Sequence, residues 1–273
     1  LLKQGNVSQL SVHPGRWHAY LLYGLNEDRE DWVTMNAFLS KYLSRERKLR
    51  WMRLDNAAKI YPAALRQSWS NVFRLSVTLT EEIDVTVLQS ALDVTVRRFP
   101  SMCVRLRRGL FWYYFQQRER APAVREENSY PVTRMSRREI RTCAFRVIAY
   151  EKRIAVEFFH AVTDGNGGMV FLKSLTAEYL QQKYGIAVPA TEGVLGRLEE
   201  PREEELEDSF LKYAGNVNAS RREPNAWHPW GTPESDGFLN LTCFRMETKA
   251  VLEKAHAYDV SLTAFLCAAL MMA

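Results

Sequence analysis

The sequence predicts an α/β domain, an α+β two-layer sandwich in which a mixed β-sheet is flanked by helices. Three stretches predict it. Residues 73–80, Phe-Arg-Leu-Ser-Val-Thr-Leu-Thr, alternate apolar and polar side chains with the period of a half-buried strand. Residues 84–98 place Val85, Leu88, Leu92 and Val96 on one helical face. Residues 144–150 and 153–159 are two apolar runs flanking Glu151-Lys152, the pattern of a tight hairpin.

The remaining elements follow in order. From Trp32, apolar residues recur at Met35, Leu39, Tyr42 and Leu43, an amphipathic helix running into the basic stretch 45–50. Asp84 is placed to cap the helix that follows the first strand, and Pro100 stands just beyond its end. Met102, Val104 and Leu106 alternate again, Arg108-Gly109 turns the chain, and 110–116 returns as a strand. Residues 117–142 read as polar loop. The stretch 160–168 leads into a helix over about 169–183, closed by Gly185. Residues 186–238 form a connector with five prolines and one short helix near 203–213. A strand over 239–246 and two helices, about 248–258 and 261–273, complete the chain. The organisation expected is an N-terminal segment (1–50), a layered half-domain (51–185), a linker (186–238) and the opening of a second half (239–273).

Composition excludes several classes. With 47% hydrophobic and 25% charged residues, the chain of 273 residues is neither disordered nor low-complexity. The four cysteines, Cys103, Cys143, Cys243 and Cys267, form no CxxC pair and no metal-ligand spacing. They are expected to be buried thiols of a reducing compartment, which places the protein in the cytoplasm. The N-terminus carries no apolar signal-peptide core. The longest apolar run, 260–273, is 14 residues, short of the roughly 20 that span a bilayer, so a core helix is expected and no membrane span.

The net charge of +5 is unevenly spread. Residues 97–146 hold 13 Arg and 4 Glu, while 192–208 hold 2 Arg and 8 acidic residues. Such a basic block attracts anions or is simply a solvated face. The aromatic run 111–115 beside it reads as a strand with both faces buried, so nucleic-acid binding is not expected.

The segment with chemical potential is Phe158-Phe159-His160-Ala161-Val162-Thr163-Asp164-Gly165-Asn166-Gly167-Gly168. A histidine leaves an apolar strand and enters a glycine-rich turn before a helix. The glycines allow close approach to the backbone, and the helix start offers free N–H groups to an anion. General-base catalysis of acyl transfer uses an imidazole beside such donors. The same residues equally describe a capping or core histidine. A His160/Asp164 metal pair has no third ligand at a suitable spacing, so no metal site is expected. No GxSxG, P-loop or GxGxxG occurs.

His160 to Gly165 resembles the HxxxDG signature of the chloramphenicol acetyltransferase-like superfamily, which includes nonribosomal peptide condensation domains and alcohol acyltransferases. Arg97-Arg98-Phe99-Pro100 with the strand after it, the lead-in Trp51 to Pro62, and Tyr258 to Leu266 also look like theirs. The chain is most similar to bacterial alcohol acetyltransferase-like proteins. The resemblance implies that His160 is the general base, that Asp164 is structural and pairs with an arginine, and that Gly165 leaves room at a substrate tunnel. Phe159, Gly167 and Gly168 are candidate positions along that tunnel, and the aromatic strand 158–159 equally suits a core. It implies acyl-CoA as co-substrate with no bound cofactor, and a small-molecule alcohol as acceptor.

Two features depart from that pattern. Phe159 stands where condensation domains carry a first histidine, as in single-histidine alcohol acyltransferases. The family's tunnel also lies between two halves. This chain supplies one, a linker and the start of the next, so a missing C-terminal half or a second chain is expected to complete it. The alternatives are a carrier-protein-dependent condensation-type acyltransferase, and a non-catalytic binding or assembly module of the same fold.

Overall fold

The computed structural model describes residues 50–66, 71–191, 193–197, 199–208, 212, 230–232 and 241–272. The helix expected near 32–43 lies outside the described residues, as do Trp227 and His228 of the connector.

The main sheet has four strands in the order β2-β7-β6-β5, where β2 is Val72–Thr78, β5 Arg125–Glu126, β6 Phe145–Tyr150 and β7 Arg153–Phe159. All pairs are antiparallel except β5 with β6, so the sheet is mixed. The register sets Phe73, Leu75 and Val77 of β2 beside Phe158, Val156 and Ile154 of β7. Phe145, Val147 and Ala149 of β6 continue the same rows. That apolar face is covered by α2 (Val85–Arg98) and α4 (Gly165–Tyr184), which contribute Leu88, Leu92, Val96, Phe171, Leu172 and Leu175 to one buried cluster. The second sheet has the order β1-β4-β3, with β1 Trp51–Arg53, β3 Val104–Arg108 and β4 Tyr113–Gln117. It shelters a smaller cluster around Leu106, Phe115, Phe159 and Ala161. The backbone bond from Ala144 N–H to Val104 O (2.8 Å) joins the two sheets, and that from Phe159 N–H to Ala144 O (2.9 Å) continues the β6–β7 ladder by one step.

Local chemistry explains the helix ends. Asp84 caps α2, its carboxylate accepting from Thr86 N–H (2.9 Å) and Val87 N–H (3.0 Å). Short α3 (Arg137–Ile140) begins with a reciprocal capping box between Ser136 and Glu139. α4 ends at Gly185, whose φ of 68° is the left-handed conformation that glycine adopts without a Cβ penalty.

Several expectations are corrected. α4 begins at Gly165, four residues before the expected start, because the Asp164 cap organises the glycines into its first turn. The loop expected over 117–142 contains β5 and α3, elements of two and four residues that carry no periodic signal. β1 and the five-residue α1 (Ile60–Ala64) are likewise too short to show one. The return strand starts at Tyr113, since Gly109 N–H bonds Trp112 O (2.7 Å) and closes the turn there. The aromatic run is therefore not buried on both faces: Phe111 is 90% exposed, and only Phe115 is buried. Of the helix expected near 203–213, a 3-10 turn at Glu203–Leu206 is described.

Residues 241–247 form no strand, there being no neighbouring strand among the described residues to pair with. Helices α5 (Thr248–Ala257) and α6 (Leu262–Met272) match their expected ranges, yet α6 buries none of its residues against the described elements. Cys103 and Cys143 are buried as expected, but Cys243 and Cys267 are exposed for the same reason. No single helix among the described residues is long and apolar enough to cross a membrane.

Candidate active site around His160

His160 follows directly on β7. Its N–H donates to Asn71 O (2.8 Å), which prolongs the β2–β7 ladder by one step. Asn71 holds a φ of 50°, a left-handed conformation that asparagine tolerates better than most residues. Its side-chain amide donates to Tyr61 O (3.3 Å), tying α1 to the start of β2. The imidazole, half-buried, stacks on the Tyr61 ring at 4.8 Å between centroids and 10° between planes, and meets Phe73 at 4.8 Å. No side-chain hydrogen bond orients the imidazole among the described residues. Tyr61, Phe73 and Asn71 thus set the ring's position by packing and backbone geometry. The sequence assigned none of the three to the site: Tyr61 stands in the lead-in 51–62, and Asn71 and Phe73 at the start of the first strand, and neither stretch encodes which residues pack on His160.

The other expected residues divide. The exposed Asp164 caps α4, its carboxylate accepting from Gly167 N–H (2.9 Å), and no arginine pairs with it among the described residues. Gly165 is exposed, and a Cβ there meets nothing within 4 Å, so no wall crowds it. A Cβ on Gly167 would collide with Thr163 Oγ1. Gly168 is where α4 touches the sheet: an added Cβ would lie 3.0 Å from Leu75, 3.2 Å from Phe158 and 3.3 Å from Phe73. Phe159 is fully buried in the smaller cluster and presents no surface to a ligand. Of the expected tunnel wall, Phe159 and Gly168 are therefore packing positions.

A groove of about 800 Å³ opens beside this site. Ala161 and Val162, the residues after His160, form part of its wall together with Trp51, Arg53, Lys59, Ser101, Trp112 and Tyr113; Glu205, Glu207 and Asp208 also line it. The groove therefore carries cations, carboxylates and aromatic surface together. No group of three or more potential metal ligands occurs among the described residues.

The sheet face opposite α2 and α4 holds a buried ionic row. Glu157, 0% exposed, sits in register between Arg74 and Arg146. Its Oε1 accepts from Arg74 Nε (2.8 Å) and Val132 N–H (2.7 Å), and its Oε2 from Arg146 Nε (2.6 Å). Glu127 joins Arg74 and Arg153. Burial alone would raise the Glu127 carboxyl, but hydrogen bonds from Arg153 and Arg74 bring it below the ordinary carboxylate range. Burial also opposes the charge on Glu139, which the Ser136 N–H and Arg125 nevertheless hold low. At the end of α2, the bidentate grip of buried Arg98 lowers Glu205.

No known family profile matches the sequence, and no curated relative matches it. Among solved structures, it is similar to polyketide synthase associated protein 5 from Mycobacterium tuberculosis, at 16% identity over 51% of this chain and 35% of that one, with a TM-score of 0.39. It is similar to the first condensation domain of the calcium-dependent antibiotic synthetase at 16% identity, over 52% of this chain and 40% of that one, with a TM-score of 0.38. The X-domain from teicoplanin biosynthesis gives 15% identity, 50% and 33% coverage and a TM-score of 0.38. The chain thus spans about a third to two fifths of the length of these structures.

Proposed function

We propose that the protein is an acyltransferase that moves a small acyl group from coenzyme A to an alcohol, with His160 as general base. The observation that carries this reading is the placement of the HxxxDG histidine: half-buried at a strand end, its ring fixed by Tyr61 and Phe73, immediately before two residues that wall a groove of about 800 Å³. The imidazole would take the hydroxyl proton as that oxygen attacks the thioester carbonyl. Collapse of the tetrahedral intermediate expels the coenzyme A thiolate, and the imidazolium supplies its proton. Asp164 holds the first turn of α4 and takes no proton. The carrier-protein-dependent variant differs only in the thioester's attachment. A further segment or chain completing the site, and a cytoplasmic location, belong to the same proposal.

A second reading, a non-catalytic binding module of this fold, is favoured by one observation. A general base is ordinarily oriented by a hydrogen bond to its second nitrogen, and no described residue supplies one to His160. Thiol release from acetyl-CoA in the presence of a panel of small alcohols separates the readings. Catalysis predicts alcohol-dependent release that falls about 10²–10⁴-fold in His160→Ala. Release that ignores both the alcohol and the substitution overturns the enzymatic reading.

A further inference from the structure

The tip of the β3–β4 hairpin carries apolar side chains where polar ones usually stand. Neither central residue holds a positive φ, so the backbone calls for no Asn, Asp or Gly there and the side chains answer to surface chemistry alone. Here the two central residues are Leu110 and Phe111, 85% and 90% exposed, and Trp112 beside them is 59% exposed. The Trp112 ring lies over Gly109 and borders the groove, whereas Leu110 and Phe111 join neither buried cluster, and exposed apolar side chains of that size side by side point to a contact surface.

The strands behind the tip are basic on one face. The register pairs Arg107 and Arg53 with Tyr114, and Arg105 and Trp51 with Gln116, so these side chains share the outward face of the sheet. Arg108 stands at the base of the turn. Six arginines elsewhere, Arg74, Arg98, Arg125, Arg146, Arg153 and Arg197, each pair with a glutamate. Among the described residues, no carboxylate pairs with Arg53, Arg105, Arg107 or Arg108. Arg105 and Arg107 instead share the Gln116 side-chain oxygen through Nε, both at 3.1 Å, and no hydrogen bond to their terminal amino groups occurs among the described residues.

We infer that this hairpin docks the protein on an anionic lipid surface. Leu110 and Phe111 enter the boundary between headgroups and acyl chains, with Trp112 beside them, and Arg105 and Arg107 on the outward face, with Arg108 at the base of the turn, meet the headgroups. At about 3.4 Å per residue, Arg105 lies on the order of 10 Å from Arg108, a span matching the interfacial layer that amphipathic elements occupy. An apolar tip with a basic collar favours lipid over nucleic acid. A strand needs only cations and stacking surfaces for nucleic acid, whereas exposed Leu110 adds something only where hydrocarbon is available. Trp112 also borders the groove beside His160, but Leu110, Phe111, Arg105 and Arg107 do not, so the inference holds whether or not the acyltransferase reading does.

The test is co-sedimentation of the full chain with vesicles of phosphatidylcholine and phosphatidylserine at 70:30, and of phosphatidylcholine alone, at low salt. The protein is expected to pellet with the mixed vesicles and to be released at high salt. Leu110→Ser with Phe111→Ser is expected to weaken binding at least tenfold, with an unchanged melting temperature because neither side chain is buried. Arg105→Gln with Arg107→Gln is expected to weaken binding to mixed vesicles roughly 10–30-fold, each arginine being worth about fivefold near such a surface. Failure of the wild type to bind mixed vesicles overturns the inference. So does binding that neither pair of substitutions reduces, or binding to a single-stranded oligonucleotide that the arginine pair abolishes and the tip pair leaves intact with no vesicle binding.

Discussion

Replacing Glu157 with alanine removes the acceptor shared by Arg74, Arg146 and a backbone N–H. Arg74 Nε, Arg146 Nε and Val132 N–H lie 2.6–2.8 Å from its two oxygens, and its side chain is 1% exposed, so no water stands ready to replace it. Breaking a buried ion pair from one side costs about 3–5 kcal/mol. Arg74 would keep its bond to Glu127, and Arg146 its two to Thr133, which places this case near the lower limit, at about 3 kcal/mol. Val132, a β-branched residue held at a φ of 61°, would lose the bond that helps to fix it there. For a domain of this size, about 3 kcal/mol lowers Tm by roughly 6–12 °C. Thermal unfolding followed by circular dichroism reads it directly. A variant melting within 1 °C of wild type would refute the claim that this row holds the sheet together.

The remaining predictions draw on the same geometry. Asp164→Ala removes an N-cap that carries one hydrogen bond, and is expected to cost about 0.5–2 kcal/mol by chemical denaturation; lost acyl transfer with unchanged stability would contradict a capping role. Glu127, Glu139 and Glu205 have carboxyls held below their ordinary value, so each adds stability that is complete above that value and is lost as pH falls through the lowered one. Urea midpoints between pH 6 and pH 3 should therefore fall, and fall less steeply when these three are replaced by glutamine. Burial pushes the Cys103 thiol up to about 12, and burial also raises Cys143. Iodoacetamide at neutral pH should label exposed Cys243 and Cys267 in the native protein while Cys103 and Cys143 react only on unfolding; mass mapping of the adducts decides it.

Features that depend on neighbours along the chain were legible from the residues alone. Alternation in 73–80, the Asp84 cap, the Glu151-Lys152 turn and the Gly185 stop each work within a few residues, so the layered α/β core was readable from them. The HxxxDG stretch was readable as a strand end leading into a helix for the same reason. Tertiary structure decided everything that depends on residues distant in sequence. Stacking of Tyr61 on His160 requires α1 to lie against the end of β7, which no local pattern encodes. The Arg74–Glu157–Arg146 row exists because the register of three strands brings residues 83 and 11 positions apart to adjacent sites. Phe159 and Gly168 looked like tunnel positions in the sequence and became packing positions, because burial is settled by what lies across from a side chain. The aromatic run 111–115 shows the same limit. Its hydrophobicity belongs to the sequence, but a single bond between Gly109 and Trp112 decides that its first two members turn outward into solvent.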